Sequence, residues 1–193
     1  MDEVEKYKAA LVEVGRALNA HGVEYVLVGS AVLAIIYNID YDPGDIDLFI
    51  YNKSTIIDYE LFEKIARENE WDIGSTGHGT IYYELIVGGE IVRVDLLENI
   101  LDIYIPQQII ENSIKIKIDN FEIKSIRLED LIVLKAKMAT KDSDDFINLV
   151  ARMLTDPKLN LIIDKTYIKK IIDYFIDKES ILNRLYKNGI YID

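Results

Sequence analysis

Leu27-Val28-Gly29-Ser30-Ala31-Val32 and, after a spacer of 14 residues (31–44), Asp45-Ile46-Asp47-Leu48-Phe49-Ile50 decide how this chain is read. The first stretch is an apolar run interrupted by Gly-Ser, the pattern of a buried strand that turns into a helix at a glycine. The second reads as another strand. Strand side chains alternate between faces, so Asp45 and Asp47 share one face while Ile46 and Leu48 share the other. The outward positions that follow are Phe49 and Tyr51 rather than a charged series, which sets the pair apart from an ordinary polar edge. Two neighbouring carboxylates in a poorly solvated cleft need a compensating cation. An all-oxygen donor set suits magnesium, which shares its shell with substrate phosphates.

Working outward, 193 residues with half of them hydrophobic suffice for one large domain, or a domain with a helical appendage. No apolar run approaches the ~18 residues needed to span a bilayer. Met1-Asp2-Glu3-Val4-Glu5 is acidic, unlike a secretory leader, and a cytoplasmic location is the default expectation. The absence of cysteine excludes disulfides, thiolate metal sites and a cysteine nucleophile. Two histidines and no His/Cys cluster argue against zinc. The net charge of −12 lies wholly in residues 1–100, with 7 Lys+Arg against 19 Asp+Glu; residues 101–193 carry 15 of each. Such acidity argues against a broad, sequence-independent grip on nucleic acid. A nucleotide carried by metal ions, or an RNA end docked on a local basic patch, remains compatible with it.

Periodicity predicts helices over 3–20, 30–37, 58–69 and 106–112. Strands are expected over 23–28, 45–51, 71–73, 80–87, 90–97, 114–118 and 121–126, with hairpins at Gly88-Gly89 and Asp119-Asn120. From Leu128 onward the pattern is helical, over 128–140, 142–154, 166–176 and 179–187. The expected organisation is an α/β (α+β) core over 1–127 and a C-terminal helical subdomain over 128–193.

Several residues carry chemistry, each with a plainer alternative. A helix opening at Gly29-Ser30 would offer free N–H groups to a phosphate, though Ser is also a common N-cap. Asp95, in Ile91-Val92-Arg93-Val94-Asp95-Leu96-Leu97, is a carboxylate in a largely apolar strand and must be paired or bind a cation. Arg93, two positions earlier on the same face, offers a local ion pair as the alternative to a third metal ligand. On a helical wheel Lys135 falls inside an arc of Leu128, Leu131, Ile132, Met138 and Ala139. It must therefore snorkel or meet an anion. Asp142 and Asp145 open the next helix, where capping competes with a site role. Gly74-Ser75-Thr76-Gly77-His78-Gly79-Thr80 lacks the Gly-Lys-Ser/Thr of a phosphate loop and reads as an exposed turn.

The order of apolar strand, Gly-Ser, spacer, Asp-Ile-Asp and a lone Asp on a later strand resembles the nucleotidyltransferase superfamily of the DNA polymerase β type. Ser125-Ile126-Arg127-Leu128-Glu129-Asp130-Leu131-Ile132-Val133-Leu134-Lys135, followed by Lys141-Asp142-Ser143-Asp144-Asp145, is similar to small prokaryotic members, including abortive-infection toxins of toxin–antitoxin pairs. The resemblance implies a mixed, mostly antiparallel sheet with flanking helices and a C-terminal helical bundle. It implies that Gly29 and Ser30 hold the phosphates of a nucleoside triphosphate, that Asp45, Asp47 and Asp95 ligate Mg2+, and that Asp95 also helps activate the acceptor. It further implies that Lys135 faces the triphosphate, with Asp145 an added nucleotide-binding candidate. The implied reaction moves a nucleoside monophosphate to a hydroxyl of a tRNA end, a protein or a small molecule and releases pyrophosphate. The spacer holds no Lys or Arg, where many relatives carry a basic residue, and Asp40 and Asp42 stand there instead. That departure keeps open a non-catalytic nucleotide-binding or toxin–antitoxin interaction module.

Overall fold

The computed structural model describes residues 3–100 and 104–192; Met1 and Asp2 of the acidic start lie outside them. The chain forms two compact units, one reaching Ile105 and including Asn112–Ile126, the other comprising Pro106–Glu111 and the chain from Arg127 onward.

The first unit holds α1 (Glu3–Ala20), β1 (Tyr25–Val28), α2 (Ala31–Tyr37), β2 (Ile46–Ile50), α3 (Tyr59–Glu68), β3 (Asp72–Ser75), β4 (Ile81–Val87) and β5 (Glu90–Leu97). The α4 helix (Gln107–Glu111) belongs to the second unit, and the chain then returns to the first as β6 (Ile114–Ile118) and β7 (Phe121–Ser125). The seven strands form one sheet in the order β3-β4-β5-β2-β1-β7-β6. Four of its pairings are antiparallel; β1 with β7 and β2 with β5 are parallel. The β4–β5 hairpin turns at Gly88-Gly89, where both residues have positive φ (62° and 88°), as a tight right-twisted hairpin requires.

One sheet face is hydrophobic. Ile46, Leu48 and Ile50 of β2, Val92, Val94 and Leu96 of β5, and Ile81, Tyr83 and Leu85 of β4 are all buried. The apolar stripe of α1 (Tyr7, Ala10, Leu11, Val14, Leu18) is buried with them, and α1 packs against β4 and β5. Each such leucine or isoleucine contributes roughly 1.5–3 kcal/mol by leaving water. The opposite face carries Asp47, Asp95, Arg93 and Tyr82, all partly exposed.

Two details of β2 differ from expectation. The strand begins at Ile46, so Asp45 sits in the bend before it. Phe49 is buried (3% exposed) rather than outward, on a strand with neighbours along both edges.

The second unit is built around α5 (Leu128–Met138), which packs on α6 (Lys141–Thr155), α7 (Lys165–Ile172) and α8 (Lys178–Lys187). The expected arc on α5 is shortened. Ala139 adopts a left-handed conformation (φ 59°) that ends the helix, leaving Met138 58% exposed and Ala139 in solvent. The α7 helix also stops early, at Ile172, where Tyr174 and Phe175 bond back three residues and tighten the chain into a turn.

Asp130 is fully buried inside this unit. Its carboxylate accepts the Arg127 backbone N–H (2.9 Å) and the Tyr167 hydroxyl (3.1 Å). Burial pushes its pKa up to about 6 despite those two bonds, with Glu129 adding to the rise and Arg127 opposing it. Between the ordinary carboxylate value near 4 and about 6, the folded protein therefore binds more protons than the unfolded chain. This group's contribution thus falls as pH rises through that window, by about 2–3 kcal/mol in all. Urea unfolding of wild type and Asp130→Asn at pH 4.5 and 7 should show wild type losing about 2 kcal/mol relative to the variant between the two pH values. A pH-independent difference would contradict it.

Candidate active site

The open sheet face aligns one residue from each of five strands. Gly74 pairs with Tyr82, Tyr82 with Asp95, Asp95 with Asp47, and Asp47 with Val28, the residue before Gly29. Directly paired residues project to the same side, so the Asp47 and Asp95 carboxylates face one another across the β2–β5 ladder. Asp45, in the bend one residue before β2, lies close enough for its charge to act on the Arg93 guanidinium.

Gly29 fits this arrangement in two ways. Its φ of +69° is a conformation that side-chain-bearing residues rarely adopt, and a Cβ there would overlap the Asp47 carboxylate. The glycine therefore lets the main chain at the start of α2 lie directly against Asp47. Ser30 is buried, and its backbone is already helical. Its hydroxyl donates to the Pro43 carbonyl (3.4 Å) and bonds with Tyr41, so in this state it fastens the spacer loop rather than capping α2.

The same loop explains the acid that stands where a basic residue was sought. Asp42 accepts the Tyr7 hydroxyl (2.7 Å) and the Gly44 N–H (3.0 Å). These bonds, the tyrosine's first, hold its carboxyl below the usual range. Asp42 thus ties the loop before Asp45 to α1.

Asp95 is held by Arg93. Nε donates to Oδ1 (2.6 Å) and Nη2 to Oδ2 (3.2 Å), with the Asp95 side chain 14% and the Arg93 side chain 37% exposed. The guanidinium also lies 3.9 Å from the centre of the Tyr82 ring. The bond to Asp95 keeps the Arg93 pKa above its ordinary value, with Tyr82 and Asp45 reinforcing it. The ion pair weighed as the alternative in the sequence is therefore formed. Among the described residues no three His, Asp or Glu side chains are gathered as a ready metal cluster. The donor chemistry of Asp45 and Asp47 suits a hard divalent cation; Asp95, with both oxygens on a guanidinium, does not fit as a direct ligand in this arrangement.

Gly29, Ser30, Asp45, Asp47 and Asp95 thus come together in the first unit. Lys135 and Asp145 belong to the second. Lys135 is half-buried, its ammonium 5.4 Å from the centre of the Phe146 ring on α6. Asp145 is exposed, whereas its neighbour Asp144 accepts from Arg184 (2.7 and 2.9 Å) and Asn188 (2.7 Å), joining α6 to α8 and the residue that follows it. Asp142 and His78 are exposed as well.

Tyr82 was missed in the sequence although the signal was present: counting equally outward from Gly88-Gly89 pairs it with Asp95. A cleft of about 990 Å³ lies between α1, the end of α2 and the β6–β7 turn, and none of Asp42, Asp45, Asp47 and Asp95 lines it. No helix among the described residues is long and apolar enough to cross a membrane.

A family described as nucleotidyl transferase of unknown function (DUF2204) matches residues 7–187. Among curated proteins none matches the chain. An antigenic nucleotidyltransferase-like protein from Paracoccidioides brasiliensis shares the fold at a TM-score of 0.51 and 13% identity, over 95% of this chain and 85% of that one. ANT(2″)-Ia, solved with adenylyl-2″-tobramycin, aligns over 94% and 95% of the two chains at 10% identity and a TM-score of 0.46.

Proposed function

Because the chain belongs to this family of nucleotidyl transferases, we propose that it moves a nucleoside monophosphate from a nucleoside triphosphate to a hydroxyl acceptor with the help of magnesium. The observation that carries the reading is the pairing of Asp47 with Asp95 on adjacent inner strands, with Gly29 closed down on Asp47. Asp45 and Asp47 are the residues that would hold the ion. Bound there, magnesium supplies positive charge for the triphosphate as the phosphoryl group transfers.

The chain's own groups do the rest. The main chain at Gly29 and the Ser30 hydroxyl bind the phosphates. Asp95 orients the acceptor hydroxyl and receives its proton as the new oxygen–phosphorus bond forms at the α-phosphate. The bond to the β-phosphate bridge breaks and pyrophosphate leaves. The proposal extends to Lys135 and Asp145, which the resemblance assigns to the nucleotide. A tRNA end, a protein side chain and a small molecule are the acceptor classes.

Incubation with magnesium and α-labelled triphosphates, with and without tRNA, is the test. The expected result is label in an acceptor, matched by pyrophosphate and abolished by a chelator. Nucleotide binding with neither product would reduce the protein to a binding module and overturn the proposal.

A further inference from the structure

The open face of the β4–β5 hairpin continues well past Asp95. Its residues pair across the ladder in successive rows: Tyr82 with Asp95, Glu84 with Arg93, and Ile86 with Ile91. Alternate residues of a strand share a face, so these rows look out on the same side, each about 6.7 Å from the next. The neighbouring β3 sets Asp72 beside Glu84 and Gly74 beside Tyr82.

The rows differ in chemistry. The first holds Asp95, the carboxylate given above to the acceptor hydroxyl. The middle row is acidic. Arg93 stands opposite Glu84, yet its guanidinium turns to Asp95 and the Tyr82 ring. The side chains of Asp72 and Glu84 make no hydrogen bond or ion pair among the described residues. The last row is apolar and bare, with Ile86 76% and Ile91 68% exposed. A cross-strand isoleucine pair steadies its hairpin. Here it also presents an apolar patch in line with Asp95.

That order fits one kind of occupant. An extended polypeptide advances by the same step as the strands beneath it. With a hydroxyl residue at Asp95, the side chain two residues along lies over Glu84 and Asp72. The side chain four residues along lies over Ile86 and Ile91. Opposite charge selects lysine or arginine for the middle place, and apolar burial selects an aliphatic residue for the last. A nucleic acid would bring its phosphates onto two carboxylates, which repel them.

We propose that the acceptor is a protein, docked on this face as an extended segment with a hydroxyl, a basic and an aliphatic side chain at alternate positions. The assignment rests on the nucleotidyl-transfer reading above and deepens it. Glu84 and Asp72 select the basic side chain, while Ile86 and Ile91 hold the aliphatic one.

Docking and transfer are measured separately. Amide NMR titrations without magnesium or nucleotide use the peptide Ser-Ala-Lys-Ala-Leu between alanine flanks, and its reversed sequence, so that both chain directions are sampled. One of the two should shift the amides of Asp72, Glu84, Ile86 and Ile91. Glu84→Lys should weaken its binding by about tenfold at low ionic strength and by less in salt. Replacing the peptide lysine by glutamate should reverse that preference. Ile86→Ser combined with Ile91→Ser should weaken binding by at least about tenfold. Circular dichroism checks that each variant folds, and Glu84→Gln replaces Glu84→Lys if the latter does not. The same peptides are then offered as acceptors with magnesium and α-labelled triphosphate, beside tRNA.

Absence of shifts on this face with both peptides, or affinity unchanged by the Glu84 and isoleucine variants, overturns the inference. Label on tRNA and none on either peptide overturns it too, and leaves nucleotidyl transfer standing. Docking as described with no label in any acceptor would keep the surface and remove the activity.

Discussion

Asp47→Asn should abolish nucleotidyl transfer, lowering kcat by at least about 10³-fold while leaving far-UV circular dichroism unchanged. The substitution keeps the shape of the side chain and removes one negative charge and one metal-binding oxygen. A cation that neutralises a transferring phosphoryl group is worth several kcal/mol, and each ~1.4 kcal/mol is tenfold in rate. Asp47 is the residue whose loss touches most of the site, because it lies against Gly29 on one side and opposite Asp95 on the other. Steady-state pyrophosphate release with saturating magnesium is the measurement. An Asp47→Asn enzyme within tenfold of wild type would move the chemistry off this sheet face.

Gly29→Ala should cost both stability and turnover. A side chain at φ +69° carries a backbone penalty of about 1 kcal/mol, and forcing a methyl into a filled space adds about 1–3 kcal/mol. The displaced group is the Asp47 carboxylate, so activity should fall further than stability alone explains. Gly22 supplies the control. Its φ is +68°, and an added Cβ there would meet nothing within 4 Å. Gly22→Ala should therefore show the backbone penalty alone and keep full activity. Urea melts and initial rates on both variants separate the two effects. Equal behaviour of the pair would mean that contact with Asp47 has no consequence.

The elements themselves were legible in the sequence, because the signals were local. Alternation in Ile114–Ile118 and Phe121–Ser125, helical spacing in Glu3–Ala20 and the paired glycines at 88–89 each declare themselves within a few residues. The alignment of Asp47 with Asp95 was implied by the family resemblance, since nothing in either segment specifies which strands become neighbours. Arg93 was visible as a possible partner of Asp95, but its choice of that partner depends on Tyr82, one strand away. Asp42 looked like a misplaced charge until Tyr7, 35 residues earlier, supplied its bond. The wheel over α5 failed at Met138 and Ala139 because a helix end is set by one residue's backbone, and periodicity is blind to that. Asp130 escaped notice as well, since its burial comes from helices that close around α5 from distant parts of the chain.

The acids Asp47 and Asp95 stand on β2 and β5, strands flanked by partners on both edges. Inner strands open only when many ladder bonds break at once, unlike loops, which fluctuate independently. These carboxylates consequently have no inexpensive way to drift apart. Heat or denaturant that separates them must dismantle the whole sheet, and the protein's capacity for chemistry should vanish as abruptly as its cooperative structure does.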